Sequence, residues 1–145
     1  MVKKFVALTC SLCIFAGASA CSSSLDVEPA DGTGTQFCTE LGAILPVSLG
    51  GTLLRDTRPS SPGTKAWGDP AIVLRCGVAP PKSYSAASQL LTVNDVNWYP
   101  EELEAGVRFT SMETSELVEV SIPMAYESTA DILTELSSAI SSLGG

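Results

Sequence analysis

Outside the N-terminus, the most apolar short run in the chain is Ile72-Val73-Leu74. It lies between Pro70 on one side and Gly77 and Pro80-Pro81 on the other. A β-branched run with breakers at both ends reads as a buried strand. Pro70 has no N–H for a ladder and suits the strand start. Alternation puts Ile72, Leu74, Cys76 and Val78 on one face, and Ala71, Val73, Arg75 and Gly77 on the other. The cysteine face is wholly apolar and is the predicted core face.

Upstream, Phe37, Cys38, Leu41, Ile44 and Leu45 recur at helical spacing. Thr35 is placed to cap this helix and Pro46 to end it. Residues 46–62 read as irregular, with Leu49, Leu53 and Leu54 in a short turn or extended piece and Pro59-Ser60-Ser61-Pro62-Gly63 as a surface loop. Downstream, Leu91 and Val93 alternate. Val96 and Trp98 continue one residue out of phase, so Asn94-Asp95 is a bulge or tight turn. Glu101, Glu102 and Glu104 read as an acidic loop. Residues 107–112 and 117–122 read as a hairpin with Val118, Val120 and Ile122 inward, and Pro123 as its stop. Ser128 and Asp131 resemble a capping box. Ile132, Leu133, Leu136, Ile140 and Leu143 form an apolar stripe behind it, with Glu127, Asp131 and Glu135 opposite. The expected fold is α+β: an antiparallel sheet of about four strands, with the cysteine helix and the C-terminal helix packed on one face.

The first twenty residues pattern differently. Lys3 and Lys4 precede a largely apolar stretch from Phe5 to Ala20 that closes on Ala18-Ser19-Ala20. That length is short for a membrane span and right for an export signal. Cys21 follows at once, then three serines. The arrangement resembles a bacterial lipobox, in which the cysteine receives a diacylglycerol and becomes the new N-terminus. Ala18 stands where leucine is usual, so cleavage without lipid, giving a secreted protein, stays open. Two or three acyl chains would anchor the protein firmly. Residues 21–35 are polar, with glycine, proline and acids, and read as a flexible tether to a single globular domain over 36–145.

Cysteine arithmetic supports the lipid. Of five cysteines, Cys10 and Cys13 would leave with the leader. Three remain, an odd number for an exported protein. Acylating Cys21 leaves the pair Cys38 and Cys76, each on a predicted core face. Packing those faces together predicts a disulfide, which export makes plausible. The competing metal site is a poor one, because the chain has no histidine.

A set of longer pieces is specific. These are the cysteine helix with Leu45-Pro46, Ala66-Trp67-Gly68-Asp69-Pro70, Leu74-Arg75-Cys76-Gly77-Val78, Val93-Asn94-Asp95-Val96-Asn97-Trp98, Phe109-Thr110, and Val118-Glu119-Val120-Ser121-Ile122-Pro123. Together they resemble the actinobacterial lipoprotein family catalogued as domain of unknown function 3515. The resemblance implies placement in the envelope and brings no assigned reaction. Where that family often carries an arginine after the Phe-Thr strand, this chain has Met112-Glu113.

Composition narrows the chemistry. The 145 residues hold sixteen acids and eight bases, for a formal charge of −8. Loss of Lys3 and Lys4 with the leader takes this to −10. Such a surface repels nucleic acid. Without histidine there is no Ser–His or Cys–His nucleophile. There is no phosphate-binding glycine loop or dinucleotide fingerprint, and no cofactor is implied. Arg75 reads either as a charge on the wetter face or as a pocket cation for a carboxylate or phosphate. Trp67 and Trp98 read either as sheet-edge packing or as a platform for a peptide or sugar ring. Asp69 near Arg75 and Trp67, or the acidic loop near Trp98, offers the remaining route to carboxylate chemistry.

The expected function is a membrane-anchored extracytoplasmic lipoprotein that binds or scaffolds in the envelope, with a protein or glycan partner and no enzymatic activity. Trp67, Asp69, Arg75 and Trp98 are its candidate binding residues. The alternatives are a small carboxylate-dependent envelope hydrolase and a structural spacer.

Overall fold

The computed structural model describes residues 23–144. The leader and Cys21 lie outside the described residues. The strand predicted around Ile72 is at the centre of the fold. It forms β6 (Ile72–Cys76), after β1 (Leu25–Asp26), α1 (Gln36–Ile44), β2 (Ser48–Leu49), β3 (Thr52–Arg55), β4 (Thr57–Arg58) and β5 (Thr64–Trp67). After it come β7 (Leu91–Val93), β8 (Val96–Leu103), β9 (Gly106–Met112), β10 (Val118–Pro123) and α2 (Thr129–Ser142).

Among the described residues one antiparallel sheet has eight strands, in the order β2-β3-β5-β6-β10-β9-β8-β7. A separate parallel pair joins β1 to β4. The expectation of about four strands beneath two helices is therefore corrected: the protein is mostly β. The strands missed are β2, β3 and β5, of two to four residues each. Such segments are too short and too mixed in polarity to show alternation. They are strands because β6 offers an edge to β5, and β5 offers one in turn to β3. The expected acidic loop is also partly strand, since β8 runs through Pro100, Glu101 and Glu102 before turning at Glu104-Ala105.

Register places the core. Cys76 pairs with Val118 and Leu74 with Val120 across β6 and β10, and Val120 pairs with Phe109 on β9. All are buried, with Trp67, Trp98 and the α2 residues Ile132, Leu133, Leu136 and Ile140 in the same cluster. Cys38 and Leu41 of α1 join it. The sulfurs of Cys38 and Cys76 are bonded, with Cα atoms 5.5 Å apart.

Residues 23–35, read from composition as a flexible tether, are hydrogen-bonded onto the fold. The N–H groups of Leu25 and Val27 donate to the carbonyls of Asp56 and Arg58 at 2.9 Å. The Gly32 N–H donates to the Gly77 carbonyl at 3.1 Å. Gly77 is at φ 84°, and a Cβ there would run into the Gly32 backbone. The two glycines thus permit an approach that any side chain would block. Low hydrophobicity hid this docking because it is made by backbone groups.

Candidate functional site

The alternation that puts Cys76 in the core turns Arg75 outward. Its strand partner across the ladder is Glu119 of β10. Arg75 donates from Nε and Nη2 to one carboxylate oxygen of Glu119, at 3.1 and 2.9 Å. Its Nη1 donates to the Glu28 carbonyl at 3.3 Å. On the other side, Arg108 of β9 brings Nε to 3.5 Å from the second Glu119 oxygen. One carboxylate therefore lies between two guanidiniums, and its side chain is only 13% exposed. The Arg108 Nε is buried and has no hydrogen-bond partner among the described residues.

Around these groups runs a groove of ≈ 540 Å³ between the sheet and the docked N-terminal segment. Leu25, Val27, Ala71 and Val73 supply apolar walls, and Asp26, Glu28, Arg75, Arg108, Glu119 and Ser121 the polar groups. A second hollow of ≈ 380 Å³ shares Arg75 and adjoins Ala30, Asp31 and Gly77. The groove thus holds two arginines and three acids, with Asp26 and Glu28 on the N-terminal segment facing the sheet wall. Arg75 is engaged by Glu119, so the half-exposed Arg108 guanidinium is the group there that could give a charge-assisted bond to a ligand carboxylate.

The other candidates lie elsewhere. Trp67 and Trp98 are fully buried. The Trp67 Nε1–H donates to the Pro46 carbonyl at 2.9 Å, and that of Trp98 to Ser137 Oγ at 2.8 Å. Neither presents a ring face to a ligand, so the aromatic platform is excluded. Asp69, at the β5–β6 turn, is 92% exposed, and its ion contact is with Arg55 at 4.0 Å. Its expected neighbour Arg75 is engaged by Glu119 instead. Glu101 accepts from Ser83 Oγ at 2.7 Å, and Glu102 is exposed. Among the described residues no three Cys, Asp or Glu side chains gather in a way that would hold a metal ion. Met112 is buried, and Glu113 accepts from Asn97 Nδ2 at 2.6 Å.

Sequence reasoning thus found Arg75 and missed Glu119 and Arg108. Both were legible as outward residues on alternating strands. Their convergence depends on a register that links strands more than thirty residues apart.

The family model for proteins of unknown function DUF3515 matches residues 5–143. The chain belongs to the DUF3515 family. The match spans both cysteines of the disulfide and all three residues of the Arg75–Glu119–Arg108 cluster. No curated protein matches the chain. No solved structure matches it either.

Among the described residues no helix is long and apolar enough to cross a membrane.

Proposed function

We propose that this DUF3515 protein is a lipid-anchored, extracytoplasmic module of the bacterial envelope, and that its groove beside Arg75 and Arg108 binds a carboxylate-bearing partner there. The observation that carries the reading is the Cys38–Cys76 bond. It uses the two cysteines of the folded body and leaves Cys21 as the odd one, directly after an apolar leader that ends in small residues. A disulfide suits an exported protein, and acylation accounts for the remaining thiol.

The groove supports the binding half. It has apolar walls and carries Arg108, whose side chain is part-exposed, a mixture that ligand sites use to combine burial with orientation. A peptide or glycan carboxylate would sit against Arg108, with Arg75 held in place by Glu119. One observation favours the spacer instead: both tryptophans are in the core, where they serve stability.

Photo-crosslinking in cells separates the two readings. A photoreactive residue replacing Ser121, inside the groove, is predicted to trap a discrete partner. The same residue replacing Leu91, outside it, serves as control. Adducts that are no richer at 121 than at 91 would favour the spacer.

A further inference from the structure

A lipid on Cys21, as proposed above, would lie close to the folded body. Ser23 is two residues from Cys21, and two residues span at most about 7 Å. The Ser23 carbonyl accepts from Arg55 Nη2 at 3.2 Å, and β1 begins at Leu25. Acyl chains on Cys21 would therefore enter the bilayer within about 7 Å of Ser23, which is held against Arg55 of β3.

The sheet edge they reach is apolar. Ser23 shares a groove of ≈ 710 Å³ with Leu53, Leu54 and Arg55 of β3. Leu53 is 72% exposed, and Leu54 is exposed too. Val47, whose carbonyl accepts from the Leu54 N–H at 2.8 Å, is 73% exposed. Three large apolar side chains are thus exposed along the edge of the sheet where the N-terminal segment enters, with Leu53 and Leu54 on its two faces. Exposed apolar surface of this kind marks a region that something covers.

Nine of the sixteen acids lie beyond Pro100, with Arg108 the single base there. Those residues form the end of β8, β9, β10 and α2; α2 packs on β7 and β8, while its Ile132 reaches the β2–β3 turn at Gly50. The β2–β3 end carries Arg55 beside Asp69, and Arg58 of β4 beside Asp26, so its charges are paired. Anionic headgroups would repel the acidic β8–β10 strands more than an edge whose charges are paired.

We propose that the β2–β3 edge, through Val47, Leu53 and Leu54, lies on the lipid bilayer, which rests on the lipid-anchor reading because the acyl chains of Cys21 hold it there. The sheet then stands away from the membrane with β7 outermost, about 30 Å from β2 at the usual strand spacing. The Arg75 groove opens to the side of a fixed body.

The test uses the full lipidated chain, extracted in detergent and reconstituted in phosphatidylcholine–phosphatidylglycerol vesicles with or without brominated acyl chains. Trp67 and Trp98 are fully buried and give a constant background. Leu53→Trp adds one reporter at the edge, Val47→Trp a second, and Leu91→Trp a control on β7. Brominated lipid is expected to remove most of the added emission of the first two and to leave that of Leu91→Trp unchanged. Vesicle flotation together with equal emission from all three variants overturns the contact and leaves the anchor standing. Absence of both flotation and acyl mass on Cys21 overturns the anchor and the contact together. A concentration-dependent blue shift of the Leu53→Trp emission without lipid, with no bromine quenching, assigns the edge to a second copy and overturns the bilayer contact.

Discussion

The indole Nε1–H of Trp98 donates to Ser137 Oγ at 2.8 Å, with both residues fully buried. This one bond ties β8 to α2 and explains why a tryptophan next to Tyr99 and Pro100 is core. A buried indole N–H requires an acceptor, and the helix supplies it within its apolar face.

Removing that acceptor leaves the N–H unsatisfied. Ser137→Ala is expected to destabilise the fold by about 1–3 kcal/mol. Trp98→Ala, which also empties the site, is expected to cost about 3–5 kcal/mol. Urea denaturation of the soluble domain, followed by far-UV circular dichroism, measures both. A neutral Ser137→Ala would show that the bond contributes nothing.

The disulfide links residues 38 apart in sequence. Closing a loop of that size removes unfolded-state entropy worth about 4 kcal/mol in the chain-entropy model. The double variant Cys38→Ala/Cys76→Ala is expected to lose stability on that scale, because the small alanines also leave space in the core. Equilibrium unfolding in guanidinium chloride checks it.

Glu119 accepts two bonds from Arg75 and lies 3.5 Å from Arg108 in a half-covered groove. Glu119→Ala is expected to destabilise by roughly 1–3 kcal/mol, the range for hydrogen bonds to charged groups. Arg108→Ala is expected to cost less, because its guanidinium lies farther from Glu119 than that of Arg75 does. Thermal melts at low and high salt compare them. Arg108→Ala is also expected to abolish the partner trapped from position 121, while leaving the fold intact.

Docking of the N-terminal segment depends on Gly32 and Gly77. Gly77→Ala forces a side chain against the Gly32 backbone at a positive φ. Amide exchange at Leu25, Val27 and Gly32 is expected to accelerate far more than exchange in β6 and β10. Equal protection in wild type and variant would mean that the segment is not held by this contact.

How much of the fold was legible depends on where each signal lies. The α1 helix declares itself locally: Thr35 Oγ1 accepts from the Cys38 N–H at 3.3 Å, as a capping threonine should, and Leu45 ends the helix before Pro46. The α2 stripe is equally plain, although Ser128 makes no side-chain cap bond there. Alternation assigns the inward faces of β6 and β10 without a structure. The Asn94-Asp95 turn is marked by residues that accept the positive φ found at both. By contrast, β2, β3 and β5 take their conformation from neighbours, so no local pattern announces them. The docked N-terminal segment is held through carbonyls and amides, which composition does not distinguish. The aromatic site failed because a tryptophan on an alternating strand has two faces available, and only the position of α2 decides between them. The Arg75 cluster needed the β6–β10–β9 register, which unites residues 75, 108 and 119.

What Cys21 carries decides whether the protein is anchored at all. Mass spectrometry of the N-terminal peptide, taken from the membrane fraction of cells making the full chain under non-reducing conditions, reads it directly. The predicted result is a peptide that starts at Cys21, carries the mass of a diacylglycerol, and is joined through Cys38 to the peptide containing Cys76. A peptide that retains residues 1–20, with Cys38 and Cys76 as free thiols, would contradict it.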